Sequence, residues 1–425
     1  MGMTITEKIL SHASNSNKVT PGDIIFANVN KVMIHDVSGP GVMKVFKELE
    51  KKGTPMGKIW NPDNVWISED HFVPASDRVS ADNIIQLTKW AQKNGIQKHF
   101  KYGFGQYGIC HTLSHEEGLV LPGEVYVGGD SHTNTTGAMG AFAAGLGHTD
   151  IAYVLTHGKI WFKVPETLLF KLNGKIPSHL MAKDIILNII SDIGTDGANY
   201  KTMQFSGSVV NELEMEERLT LTNMTTEAGA KNGIIEPDHV TTEYLKRRTE
   251  QKFNLIKSDP DAEFAEIFEY DCDKMEPSVA KPFSPENVAV VRELQNTVID
   301  KAYIGSCTGA KLSDLRSAAK ILKGRKVRVR TEVLPAAQSI YMKAIKEGLV
   351  TIFMESGAVI GPPTCGACCG AHMGVLGKDE ICISTTNRNF PGRMGHVESQ
   401  TYLASPMVVA ASAVTGKITD PRDIQ

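Results

Sequence analysis

Apolar residues recur along this chain in two spacings, and their alternation predicts an α/β protein. In the first third, Ile84, Leu87 and Ala91 fall on one helical face, with Ser80 as the cap and Asn94-Gly95 as the stop. Thr4 to Leu10 reads as the opening of an amphipathic helix. Asn64–Ser68 and Glu124–Val127 read as strands, and each leads directly into a polar cluster, Asp70-His71 and Asp130-Ser-His132. Phe170-Lys-Leu172 predicts a strand, and Ala182 to Ile193 a helix running to Gly194. The last third reads as strand 298–304, helix 312–322, strand 327–334 and helix 338–347, followed by extended runs at 358–360 and 381–384. Such alternation implies parallel strands. In an open α/β sheet, the loops beyond the carboxyl ends of the strands gather side chains at one place, which gives the strand-then-polar theme a mechanical reason. The small-residue run Gly137 to Gly147 suits close helix–sheet packing or approach to a ligand, and it lacks the spacing of a dinucleotide fingerprint.

At 425 residues the chain exceeds what one core usually supports. We place domains at 1–163, 164–285 and 286–425, the second boundary falling at the end of a charge-rich stretch from Leu245 to Pro285. With 45 basic and 48 acidic side chains and a formal charge of -3, the composition gives no electrostatic footprint for nucleic acid or an anionic membrane. No run of about 18 apolar residues could span a bilayer, and the first residues lack the layout of a secretory signal, so a cytoplasmic protein is expected. Seven cysteines are too few for a disulfide scaffold in so long a chain, and a reducing compartment keeps thiols available for metal.

Those thiols are the sharpest chemical signal. Cys365, Cys368 and Cys369 crowd beside proline and glycine, and Cys307 sits far upstream in the frame Gly305-Ser-Cys307-Thr-Gly309 at the end of a predicted strand. Cys307, Cys365 and Cys368 together suit an iron–sulfur cluster with one corner left for something other than protein, because full ligation of a four-iron cluster takes four cysteines. A zinc site completed by a histidine fits the same thiols, and a redox or chance pair is the plain alternative.

Around the cysteines lie Asp70-His71, Gly108-Ile-Cys-His111, Asp130-Ser-His-Thr133, Asn223-Met-Thr-Thr-Glu227, Gly-Ser-Cys307-Thr, Cys365-Gly-Ala-Cys368 and Asn387-Arg388-Asn-Phe-Pro-Gly-Arg393. In this order the set resembles the aconitase superfamily, in the form of the separate large subunits of the 3-isopropylmalate dehydratase and homoaconitase type, along nearly the whole chain. The resemblance implies three α/β domains around a central crevice, without the swivelling fourth domain. It implies one [4Fe-4S] cluster on Cys307, Cys365 and Cys368, with one iron not ligated by protein and acting as a Lewis acid. Asp70, His71, His111, Asp130, His132 and Glu227 become catalytic candidates, because a carboxylate fixes the tautomer of a paired imidazole. Asn223, Asn387, Arg388 and Arg393 become substrate-binding candidates, since a guanidinium matches the two oxygens of a carboxylate.

The partner implied is a small subunit bearing the swivelling domain and a serine base. The substrate implied is a small hydroxy-dicarboxylate or tricarboxylate, with interconversion of 2- and 3-isopropylmalate in leucine biosynthesis as the leading reading. Homoaconitase, dimethylmalate dehydratase and aconitase use the same machinery. From other classes, an RNA-binding apo form and a zinc-binding structural module remain as alternatives. Cys369, Cys110, Cys272 and Cys382 match no ligand position and read as packing thiols, His115 and His148 as structural, and Gly309 stands where relatives generally carry Asn.

Overall fold

Parallel strands dominate the computed structural model, which describes residues 2–53, 58–370 and 372–424. The chain packs as two units. One takes Met1–Lys171, Ala198–Ser206 and Gly229–Glu269, and the other takes Leu172–Gly197, Gly207–Ala228 and Tyr270–Gln425. The middle third is therefore shared out between them.

The first unit is built on a five-stranded sheet in the order Lys98–Phe100, Val65–Ser68, Lys31–His35, Val125–Gly128, Phe142–Gly145. Every neighbouring pair is parallel. The chain enters at the centre, steps outward to one edge and then returns to the other side of the first strand. Its reversal point lies between Lys31–His35 and Val125–Gly128, where Met33 stands opposite Gly128. All four residues of Val65–Ser68 and of Val125–Gly128 are buried, as expected of parallel strands covered on both faces. Val32, Ile34, Val65, Ile67, Val125 and Val127 join one core with Val42 and Phe46 of the helix Ser38–Lys51, and with Leu87 and Ala91 of Arg78–Lys93. Each such side chain contributes on the order of 1.5–3 kcal/mol through its removal from water.

Two local expectations shift. The helix Arg78–Lys93 is capped by Asp77, which accepts from the Ser80 backbone N–H at 2.9 Å. Ser80 lies one turn inside and donates its hydroxyl back to Asp77 at 3.0 Å, because a carboxylate in extended backbone reaches the exposed amides better. Thr4 caps Ile5–Ala13 through a reciprocal box with Glu7. A smaller sheet, in the order Asn232–Ile235, Thr202–Ser206, Thr167–Asn173, Glu266–Asp271, completes this half, with the ends of its last two strands passing into the second unit.

The second unit holds a seven-stranded sheet: Val288–Val290, Ser278–Ala280, Gln400–Ala404, Ile381–Ser384, Lys301–Ile304, Arg330–Val333, Val359–Ile360. The first two are antiparallel additions, and the other five pair in parallel. Those five repeat the order of the first unit: first strand central, second and third outward on one side, fourth and fifth on the other. The reversal lies between Lys301–Ile304 and Ile381–Ser384, with Tyr303 opposite Ser384. Helices Ala182–Ile193 and Leu312–Leu322 occupy the residues predicted for them. The helix Leu349–Ser356 is not among the predicted elements, since a run of eight residues between Gly348 and Gly357 is too short to establish a period.

Candidate functional site

In the second unit, chemistry gathers beyond the carboxyl ends of the first, third and fourth parallel strands. Strand Lys301–Ile304 runs into Ser306, held at φ +73°, in the left-handed region that non-glycine residues seldom occupy. That turn carries Cys307 into the short helix Ser306–Gly309. The Ser306 hydroxyl donates to Asn387 Oδ1 at 2.8 Å and lies 3.8 Å from Cys307 Sγ and 3.6 Å from Cys368 Sγ. Two of the three predicted sulfurs thus surround one serine oxygen. Asn223 Nδ2 donates to Cys307 Sγ at 3.1 Å, and Asn387 Nδ2 reaches the same sulfur at 3.4 Å and Asn223 Oδ1 at 2.6 Å.

Cys365 follows the strand Val359–Ile360 and opens the turn Gly366–Cys369. Its carbonyl accepts from the buried Tyr303 hydroxyl at 2.9 Å, which ties this loop to the strand bearing Cys307. Gly370, at φ +68°, ends the turn where a Cβ would press on the carbonyls of Gly392 and Arg393, so the turn that presents Arg393 packs against the cysteine loop. Cys307, Cys365 and Cys368 are all buried, whereas Cys369 is half-buried. Burial pushes the Cys307 thiol up, and the neighbouring Cys368 adds to the shift. Three buried sulfurs, one of which, Cys307, receives two amide hydrogen bonds, fit a cationic metal centre.

Arg388 donates Nε to both oxygens of Glu227, at 2.9 and 3.0 Å. Glu227 is buried and Arg388 partly exposed, which leaves the guanidinium edge as the accessible part of the pair. Asn223 and Glu227, four residues apart, are split by the end of the helix Met215–Met224, and Glu227 sits in the following turn Thr225–Ala228. Gly309 also finds a reason here: a Cβ there would collide with Thr385, whose hydroxyl bonds the Gly305 backbone through both its proton and its lone pair, at 2.8 and 2.9 Å.

The first unit gathers imidazoles and carboxylates at its own reversal point. His71 Nδ1 lies 2.7 Å from Asp70 Oδ1, while Asp70 Oδ2 accepts from the Cys110 backbone N–H at 2.6 Å. His111 Nε2 lies 2.8 Å from Asp130 Oδ1, which also accepts from the His132 backbone N–H at 2.8 Å. Burial would raise both carboxyls, yet the facing imidazoles outweigh it: His71 brings Asp70 below the usual carboxylate range, and His111 brings Asp130 well below it. His111 itself is lowered by burial, with Asp130 restoring part of the shift.

His35 and Asp36 belong to this cluster and were missed from the sequence. His35 Nδ1 accepts from the Val37 backbone N–H at 3.1 Å, its Nε2 lies 3.5 Å from Asp130 Oδ2, and its ring stacks on His71 at 4.4 Å. Asp36 accepts from the backbone N–H groups of Asp70, His71 and Phe72. The signal was available, since a polar pair follows the strand Lys31–His35 just as Asp70-His71 follows Val65–Ser68. Although His35, Asp36, Asp70 and His71 bring donor atoms within 4.8 Å of one another, backbone amides already engage Asp36 and His35 Nδ1. His115 Nδ1 lies 2.7 Å from the Tyr244 hydroxyl.

A family model described as "Aconitase family (aconitate hydratase)" matches residues 7–298 and 290–416. The chain is 47% identical over 431 residues to a 3-isopropylmalate dehydratase large subunit of Aquifex aeolicus, covering 100% of this chain and 98% of that one. It is 48% identical over 428 residues to 3-isopropylmalate dehydratase large subunit 1 of Pyrococcus abyssi, covering 100% of both. It is also 48% identical over 427 residues to the large subunit of Heliobacterium modesticaldum, again covering 100% of both. The crystal structure of Thermococcus kodakaraensis aconitase X in its holo-form resembles it in fold, with a TM-score of 0.50 and 13% identity over 88% of this chain and 89% of that one.

Proposed function

Because this chain belongs to the aconitase family, we propose that it is the large subunit of a 3-isopropylmalate dehydratase, a hydro-lyase that interconverts 2- and 3-isopropylmalate by removing and restoring water. The observation that carries the reading is the meeting of Cys307 and Cys368 at the Ser306 hydroxyl, in a pocket whose amides point at sulfur. Cys307, Cys365 and Cys368 hold a [4Fe-4S] cluster there. When bound, the cluster supplies Lewis acidity at a hydroxyl that must leave.

The chain's own residues supply the rest. Arg388, kept in place by Glu227, offers its guanidinium edge to a substrate carboxylate, and Arg393 adds a second cationic group from the same loop. Water leaves only if its oxygen gains a proton. Asp70 occupies His71 Nδ1, which fixes the tautomer and makes Nε2 the atom that exchanges that proton. Asp130, held ionised, does the same for His111 from the opposite ring nitrogen. The words "large subunit" in the relatives' names lead us to infer a small subunit as partner, and to that partner we assign the serine base that takes the carbon-bound proton.

Anaerobic iron and sulfide analysis, followed by turnover of isopropylmalate with and without the cognate small subunit, tests the reading. We expect about four irons and four sulfides per chain, as a [4Fe-4S] cluster requires, and turnover only from the pair. Zinc without sulfide would overturn the cofactor, and full turnover by this chain alone would overturn the divided site.

A further inference from the structure

Three lysines in the second unit are almost wholly buried: Lys183, Lys301 and Lys311. Two have the partner that a buried ammonium needs. Lys301 Nζ lies 2.8 Å from Glu332, and Lys311 Nζ lies 2.7 Å from Asp314 with Glu216 and Glu217 close by. Lys183 is different. Its Nζ donates to the Thr386 carbonyl at 2.7 Å, and has the Thr385 carbonyl and Thr308 hydroxyl at 3.4 Å and Met224 Sδ at 3.6 Å, all of them neutral. Among the described residues no carboxylate lies within ion-pair distance of it. A buried charge without a counter-charge is strongly unfavourable, so negative charge must come from elsewhere.

The groups whose ionised forms favour the charged state of Lys183 are Cys307, Glu227 and Cys368, and Glu227 is already engaged by Arg388. Lys311 opposes them as a second cation. Burial lowers Lys183 to about 8, whereas Lys311, equally buried, is raised by Asp314. The contacts of Lys183 are also well chosen in the fold. Thr308 follows Cys307, and Thr385 and Thr386 precede Asn387, so one ammonium ties together the two strand ends from which the sulfur pocket is built.

We propose that Lys183 is the counter-ion of the cysteine pocket, a positioning residue whose fixed positive charge balances the negative charge of Cys307, Cys365 and Cys368 when they hold a metal cluster. This rests on the cluster assignment above. A cluster's reduction potential depends on nearby charge and hydrogen bonding, so a cation left in place favours the reduced, more negative form and resists loss of the group.

Reconstituted full-length chain carrying Lys183→Met, Lys183→Gln or Lys183→Arg tests this by midpoint potential, followed by electron paramagnetic resonance, and by iron content after exposure to air. Gln keeps a hydrogen-bond donor for Thr386 without the charge, and serves if the Met variant does not fold. We expect Met and Gln to shift the potential downward and to lose iron faster, and Arg to stay near the parent chain. A full cluster at the parent potential in the Met or Gln variant would overturn the proposal while leaving the cluster assignment intact. A parent chain that takes up no iron and sulfide would overturn both.

Discussion

The two units share one strand order and place opposite chemistries at the same topological position. In each, the first parallel strand is central and the chain reverses between the first and fourth strands. Beyond those ends the first unit places His35 and Asp130, and the second places Cys307 and Asn387. The first assembles charges that satisfy one another directly, carboxylate against imidazole at 2.7 and 2.8 Å. The second assembles buried sulfurs, Cys307 among them served by two neutral amides, with a buried lysine nearby that has no carboxylate within ion-pair distance among the described residues. Topology fixes where side chains meet, and residue identity alone decides whether the place exchanges protons or holds metal.

Breaking each half should therefore give different failures. Cys307→Ala has the largest expected effect: complete loss of turnover together with loss of iron, read by metal analysis. His71→Asn should lower kcat by about 10²–10⁴-fold, the usual worth of a positioned proton carrier, while iron and sulfide stay at the parent level. A cluster lost along with His71 would blur the division.

Acidity should also leave its mark on the second unit. Burial raises Glu217 to about 7 and Asp184 to about 6, so both carboxyls prefer the protonated form in the folded second unit. Their contribution is present below the ordinary carboxyl range and is lost as pH rises through those values, at a cost on the order of a few kcal/mol. Asp70 and Asp130 act in the opposite sense, stabilising the first unit above the ordinary carboxyl range and failing it only in strong acid. Between pH 5 and 8, hydrogen exchange corrected for intrinsic rates should loosen Ala182–Ile193, and unchanged protection there would refute this.

Smaller effects sharpen the sulfur side. Asn223→Ala removes an amide from Cys307 and should weaken iron retention by about 10–100-fold, measured by competition with a chelator. Gly309→Ala should destabilise the chain by about 1–3 kcal/mol in denaturant titration, because Thr385 must move.

Much of this was readable from the residues, and the exceptions share a cause. Helices Ala182–Ile193 and Leu312–Leu322 declared themselves because apolar period and flanking residues agreed. The cysteines, Asp70-His71, Asp130-His132 and Asn387-Arg388 stood out because each follows an apolar run. His35-Asp36 obeys the same rule and was overlooked for want of a second signal. Lys183 gave no warning at all, since a lysine in the first turn of an amphipathic helix normally faces solvent, and only the tertiary neighbours show it buried. The placing of Glu227 beside Arg388 was equally illegible, since spacing by four puts two residues on one face only while a helix continues, and this one ends at Met224.

Neither half of the molecule is a contiguous stretch of chain. The first draws residues up to Glu269, and the second begins at Leu172 and ends at the last residue. A ribosome must therefore release well over half of the polypeptide before the earlier unit can close, and must pass Asn387 before the sulfur pocket can be complete. Cutting the gene anywhere between the codons for Leu172 and Glu269 would divide both units at once, so that neither product would hold a whole core.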